Sequence, residues 1–579
     1  MIAARQLFEG LTMSITVFLS FLLFTGFVGV FTYNKVKKNK HDSQDGYFLG
    51  GRSLTGGLIA SSLILTNLSA TSFVGMSAQS YTHNMSVMGW EVASGVTLII
   101  IALLLVPRYL KQGITTIPDF LESRYDLSVK KFVTLLFLCQ YVINILPTTL
   151  YAGAVVLGEI FDIQTLLGVS EFAAIAIISA TIGVLGFFYA IYGGLKAVVI
   201  ADTINGVGLI IGGLMIPVFG LMVLGGGSFS DGLHQIVTVA PEKLQSVGTS
   251  TDPLPFSTLF TGLLLVNLYY WGTDQSIIQR ALGAKNLKEG QKGVILAGGI
   301  KVISPLFLII PGIIAFHMFG ADAGNPDTMY TRLVNEVLPK PLVGFFVAVM
   351  FGAILSTFNG VLNSSTTLFA LNVYKPLFGH GKSDQELVAK GRVFGVLIAI
   401  IAVCIAPFIM FAPEGLFQYL QMVAGFFSVP IFTIVFVGYI SKRVPAIAAK
   451  VALVVFVSSY AAMQLVFETP LHFLHQLAIL FVVCTILMFV IGAFKPREQD
   501  YVMPINKDMD VTPWEFRFEA SAIVLYMVLG AFIMFSDIGL MSDDPTLLQT
   551  YGFCGLIMLV GIFFRHLKRK QLQPEAEAS

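Results

Sequence analysis

Apolar runs of eighteen or more residues recur along the chain, near 13–33, 54–79, 86–107, 132–160, 171–192, 197–226, 257–283 and 292–318, then near 339–371, 391–411, 416–439, 446–466, 472–493, 516–536 and 547–564. About twenty such residues carry a helix across the roughly 30 Å hydrocarbon core of a bilayer. The pattern therefore predicts an all-α polytopic membrane protein with about fifteen spans. Two runs break the pattern. The second reads SSLILTNLSATSFVGMSAQS, with the polar cluster Thr66, Asn67, Ser69, Thr71 and Ser72 at its centre. The seventh reads TGLLLVNLYYWGTDQSIIQR and is interrupted by Asn267, Gly272, Thr273 and Asp274. Either cluster alone reads as helix-to-helix packing. Together, five helices apart, they point to an inverted-repeat transporter whose unwound backbone offers carbonyls and amides at the midplane.

Charge placement orients the chain. Every second loop is basic (35–52, 108–131, around Lys196, 280–292, 375–392, 442–443, 495–507), as is the tail with Arg565, Lys568, Arg569 and Lys570. The positive-inside rule then places the amino terminus outside and the carboxyl terminus in the cytoplasm of a multi-pass protein of the cell (inner) membrane. The run at 13–33 is followed by lysines, not by a small-residue cleavage site, and reads as a retained anchor. Composition agrees: 55% of residues are hydrophobic, 12% are charged and mean hydropathy is +0.81. A soluble domain would carry about 25% charged residues. A net charge of +1 gives no argument for a nucleic-acid partner. Cys139, Cys404, Cys484 and Cys554 sit in apolar runs and read as buried hydrophobes, not as disulfides or metal ligands. No loop is long enough for a catalytic domain, and the nearest approach to a phosphate-binding loop, LFGHGKSD, has Pro376 where the first glycine belongs. An enzyme or an ATP-driven pump is not expected.

Three charges stand inside apolar stretches: Glu91, Asp202 and Lys301. Each costs roughly 2.5–3.5 kcal/mol at membrane depth and so demands a partner or a cavity. Lys301 has two candidate partners, Glu91 and Asp202, and pairing is compatible with substrate binding. In the ninth run, Ala353, Ser356 and Thr357 fall at i, i+3 and i+4, so a carbonyl and two hydroxyls share one helix face. Carbonyls of the interrupted run around 65–68 are the natural complement in a sodium shell.

With these residues in view, the chain resembles the sodium:solute symporters, nearest the sodium/glucose branch that includes bacterial sodium/galactose transporters. The segments that carry the likeness are GYFLGGRSL (46–54), LTNLSATSFVGMSAQSY (65–81), GITTIPDFLESRY (113–125), AIYGGLKAVVIADTINGVGLIIGG (190–213), NLYYWGTDQSIIQRALGAK (267–285), GAILSTFNGVLNSS (352–365) and FQYLQ (417–421). The resemblance spans about residues 10–490. It implies a LeuT-like core of two inverted five-helix repeats, 54–226 and 257–439. Around that core it leaves 1–53 as anchor helix and basic loop, 446–564 as accessory helices and 565–579 as a cytoplasmic tail. It also implies inward transport of a small solute with sodium, within the lipid bilayer and with no obligate protein partner.

Residue by residue, the resemblance puts the co-transported Na+ on Leu65, Leu68, Ala353, Ser356 and Thr357. It puts a hydroxylated solute on Glu91, Ser94, Asn267, Lys301 and Gln421, with Tyr270 as inner gate and Met76 and Phe417 as outer gates. Asp202 matches an aspartate on the ion exit path; otherwise it is a charge near a helix end. The chain departs from the sugar-transporting pattern at Ser72, which replaces a glutamine, and at Trp90, which replaces a tyrosine; Asn144 is one position out of register. A sugar remains the expectation. A sialic acid, polyol, nucleoside or carboxylate is the alternative within the mechanism, and a channel or transporter-like receptor lies outside it. Because Glu91 offsets its charge, Lys301 is expected to donate to a neutral solute, not to balance an anion.

Overall fold

The computed structural model describes residues 2–36, 49–378, 382–411, 416–467 and 469–577, and of 2–14, 33, 35–36, 50, 188–198, 416, 418 and 567–577 only the backbone. The basic residues expected in 37–48, and the side chains of Lys196 and the tail lysines, fall outside the described residues. Among those described, regular structure is entirely helical, apart from one isolated bridge between Leu54 and Ala284. Eleven helices are long and apolar enough to cross a membrane, and two bent pairs bring the number to thirteen. The apolar helix Glu171–Phe187 and the broken helix Gly262–Gly272/Gln275–Leu282 account for the two remaining runs. Glu171–Phe187 and Val199–Leu224 run in opposite directions along Lys340–Leu368: Ile182 and Ile354 both meet Gly153 and Gly186 lies beside Phe358, whereas Gly208 lies beside Val349 and Gly212 beside Phe346.

Both expected breaks are present, and their causes are local. Gly56–Asn67 ends at Leu68, Ser69 is extended, and Ala70–Thr82 leaves at a bend of 57°. Backbone freed at membrane depth must find new partners. Here Ser69 N donates to Asn67 O at 2.9 Å, Ser72 N to Ser69 O at 2.9 Å, and Ser72 Oγ to Asn67 O at 3.1 Å. Four residues back from Ser69 and Ser72, the Leu65 and Leu68 carbonyls lose their helical donors.

At the second break, Asp274 caps the following helix and is fully buried. It accepts from Ser276 N (2.8 Å), Ser276 Oγ (2.6 Å), Tyr141 OH (2.8 Å) and Tyr269 OH (3.3 Å). Four donors and a helix N-terminus hold this carboxylate without a paired cation.

A third bend was not expected. Leu287–Ile303 and Pro305–Phe319 meet at 44°. Pro305 supplies no amide and its ring crowds the preceding turn, which kinks the helix after Lys301.

Close crossings hold the spans together. A Cβ on Gly312 would lie 2.1 Å from Ser77 O, so Ala70–Thr82 and Ile310–Phe319 touch backbone to side-chain-free backbone. Gly344 admits Val17 O and Ser20 of the first helix in the same way. Residues beyond 495 return across one end of the bundle. Asn506 N donates to Lys111 O, Leu287 N to Asp510 O, and Trp514 N to Gln291 Oε1, before Arg517–Met534 packs on Gly89–Ile100 and Leu287–Ile303.

Candidate functional site

The two broken helices, together with Gly89–Ile100, Leu146–Phe161 and Leu416–Gly425, enclose a cavity of about 780 Å³ including its mouth. Ser72, Met76, Glu91, Ser94, Asn267, Tyr270, Phe417 and Gln421, expected at a solute site from four separate segments, all lie on its wall. Thr357 reaches it too. Lys301 does not: it stands behind the wall, 1% exposed.

What Lys301 touches explains its tolerance at depth. Its Nζ is ion-paired with Glu91 Oε2 and donates to Asn67 Oδ1 at 2.5 Å, and it lies 5.7 Å from the centre of the Trp271 ring. Ser304 Oγ, at the Pro305 bend, donates to the same Glu91 oxygen. Among the described residues Glu91 is the only acidic one on the cavity wall, and it already has a cation and a hydroxyl. Asp202 is not part of this pair. The cavity is therefore polar without carrying a net charge.

Its polar groups are hydroxyls and amides. Ser94 Oγ lies 3.0 Å from Asn267 Oδ1 and accepts from Trp271 Nε1 at 3.0 Å. Asn267 Nδ2 is buried with no partner. A buried amide N–H normally finds an acceptor, so this donor is held ready for one. Tyr270 accepts from Asn67 Nδ2 at 3.3 Å, and its ring meets Trp271 edge-on at 5.1 Å. Opposite, Phe417 packs edge-on to Trp90 at 5.9 Å and presses on Gly75, where a Cβ would lie 2.7 Å from Phe417 Cβ.

The structure adds wall residues that the sequence reading did not select: Asn67, Ser69, Trp90, Thr148 and Thr149 among them. A hydroxyl pair beside Pro147 in an apolar run was the available signal for Thr148 and Thr149. Asn144, one turn before them, donates to Leu420 O at 3.3 Å.

Two of the expected ion ligands, Ser356 and Thr357, meet the first break at Thr66. Thr357 Oγ1 donates to Thr66 O at 2.9 Å, and Ser356 Oγ stands 3.5 Å from Thr66 Oγ1. Ser356 and Thr357 are 4% and 7% exposed, and Leu65, Leu68 and Ala353 are fully buried. The first break thus meets, at Thr66, a helix bearing two hydroxyls, and oxygens of this kind suit a hard cation. Among the described residues no group of three or more His, Cys, Asp or Glu side chains could hold a metal.

Asp202 lies deeper, 1% exposed, and accepts from Ser62 Oγ at 2.5 Å. It borders a second cavity with Asn205, Ser356 and Asn359.

A profile of the sodium:solute symporter family matches residues 47–455. An uncharacterized symporter of Escherichia coli, YidK, is 45% identical over 95% of this chain and 96% of its own length. A sodium/glucose cotransporter of Vibrio parahaemolyticus is 30% identical over 85% of this chain and 93% of its own. Among solved structures, a Na+-coupled sialic acid symporter in a substrate-bound outward-open state superposes with a TM-score of 0.71, covering 84% of this chain and 99% of that one at 20% identity. That likeness is one of fold.

Proposed function

The chain belongs to the sodium:solute symporter family, and on that premise we propose that it imports a neutral hydroxylated solute, a sugar, together with Na+ by alternating access. One observation carries the substrate class: the acidic group on the described cavity wall is neutralised by Lys301, while the buried donor Asn267 Nδ2 remains to be satisfied. An anion would meet no unpaired cation there. A pyranose would meet donors and acceptors at its edge and aromatic faces at Trp90, Trp271 and Tyr270. The relative from Vibrio parahaemolyticus, a sodium/glucose cotransporter, supports the same class.

In this reading Na+ sits between the carbonyls of Leu65, Leu68 and Ala353 and the hydroxyls of Ser356 and Thr357, bracing the break of the first repeat. Solute docks against Ser72, Glu91, Ser94, Asn267 and Gln421, with Lys301 orienting Glu91 from behind. Met76 and Phe417 close above it. Loss of the ion past Asp202 and movement of Tyr270 release it inward. The repeats are 54–226 and 257–439, with the amino terminus outside.

Reconstituted protein given a sodium gradient is expected to accumulate one or more labelled hexoses from a panel that also contains polyols, nucleosides and sialic acid, and to fail with potassium in place of sodium. Preferential uptake of an anionic member would overturn the neutral-solute reading. Ser356→Ala with Thr357→Ala is expected to abolish the sodium dependence while leaving the thermal unfolding midpoint in detergent close to wild type; full sodium-driven uptake by that variant would remove the ion site from these residues.

A further inference from the structure

Arg280 is fully buried, yet only part of its guanidinium is engaged. Nη1 is bonded to Ser276 O one turn back in its own helix, and Nε donates to Ser62 Oγ at 2.9 Å. Ser62 Oγ in turn donates to Asp202 at 2.5 Å. One hydroxyl thus bridges an arginine on the second broken helix to an aspartate of the first repeat. Nη2 has no hydrogen-bond partner. It points at Gly360, where a Cβ would lie 2.5 Å from Nη2 and 3.5 Å from Thr66 Cγ2.

Gly360 is one helical turn beyond Ser356, on the same face, and Thr66 stands 3.5 Å from Ser356. The free end of the guanidinium therefore occupies the space beside the proposed ion site that any side chain at position 360 would fill. A buried carboxylate and a buried guanidinium linked through a hydroxyl compensate each other only as long as no further charge arrives.

We propose that Arg280 is the internal counter-cation of the ion site. With sodium bound, its charge opposes the ion and sets a weaker affinity than the oxygens alone would give. With sodium gone, it balances Asp202 so that the empty carrier can reorient. Arg280 acts through Ser62 and Asp202 and is a positioning residue, not an ion ligand. This rests on the assignment of the ion to Ser356 and Thr357, and the double-alanine variant above tests that assignment separately.

The test compares net uptake, which needs the empty carrier to return, with exchange of labelled for unlabelled solute under saturating sodium on both sides, which does not. Arg280→Gln is expected to lower the half-saturating sodium concentration by on the order of ten-fold, the effect of one charge at about 10 Å in an effective dielectric near 20. It is also expected to depress net uptake while exchange persists. Arg280→Lys is expected to restore both towards wild type. Gly360→Ala keeps the charge but displaces Nη2, and is expected to shift the same two readouts in the same direction to a smaller extent; it serves where Arg280→Gln does not fold. An unchanged half-saturating sodium concentration, or exchange that falls in step with net uptake, overturns the proposal.

Discussion

At the scale of single residues, the Glu91–Lys301 pair is the feature most dependent on its partners. Removing one member of a buried ion pair leaves the other charged and unpaired, at a cost of about 3–5 kcal/mol. Lys301→Met is therefore expected to lower the thermal unfolding midpoint in detergent sharply, because Ser304 alone cannot compensate Glu91. Lys301→Met combined with Glu91→Leu is expected to recover most of that loss, and neither variant to transport. A double variant as unstable as the single one would show that the two residues are not coupled. Both charges were legible in sequence, since each interrupts an apolar stretch. Their pairing was one of two that the sequence offered, Asp202 being the other partner, and the structure selects Glu91. Thr148 and Thr149 were illegible for another reason: hydroxyls in an apolar run look the same whether they pack or line a cavity.

At the scale of elements, the two functional breaks were readable because polar side chains must replace lost helical bonds, and those side chains are written in the chain at 66–72 and 272–274. The Pro305 bend passed unnoticed within a continuous apolar run, although it places Ser304 against Glu91. The half-helix Ala70–Thr82 carries the proposed outer closure, because Gly75 is where it meets Phe417. Gly75→Val would drive two helices apart at the one point where Cβ space is lacking. The expectation is at least a ten-fold loss of uptake with sodium-induced thermal stabilisation retained, since the carbonyls at 65 and 68 lie on the other side of the break. Loss of the sodium effect together with uptake would mean that Gly75 shapes the break itself, not the gate.

At the scale of the molecule, the contacts sort the chain into two ends. At one end, Asn84 donates to Asp252, Tyr81 OH to Gly320 O, and Ser246 N to Phe535 O. At the other, Gly56 N donates to Glu289, and Arg124 donates to the carbonyls of Gly438, Ser441 and Val444. The segment after 495 joins that second end through Lys111, Arg124, Lys442 and Arg443. The basic loops of the described chain fall at this second end, so the positive-inside rule predicts that it is the cytoplasmic one. The orientation has a direct check. In a background with the four native cysteines replaced, Thr251→Cys and Lys507→Cys each put one thiol on an exposed position at opposite ends. A membrane-impermeant maleimide is expected to label position 251 in intact cells and position 507 only after permeabilisation. The reverse pattern would invert the transporter, turning the cavity floor at Tyr270 into the outer gate and the Phe417–Trp90 contact into the inner one. The direction of transport assigned from the gates thus stands or falls with this labelling, independently of which solute the cavity holds.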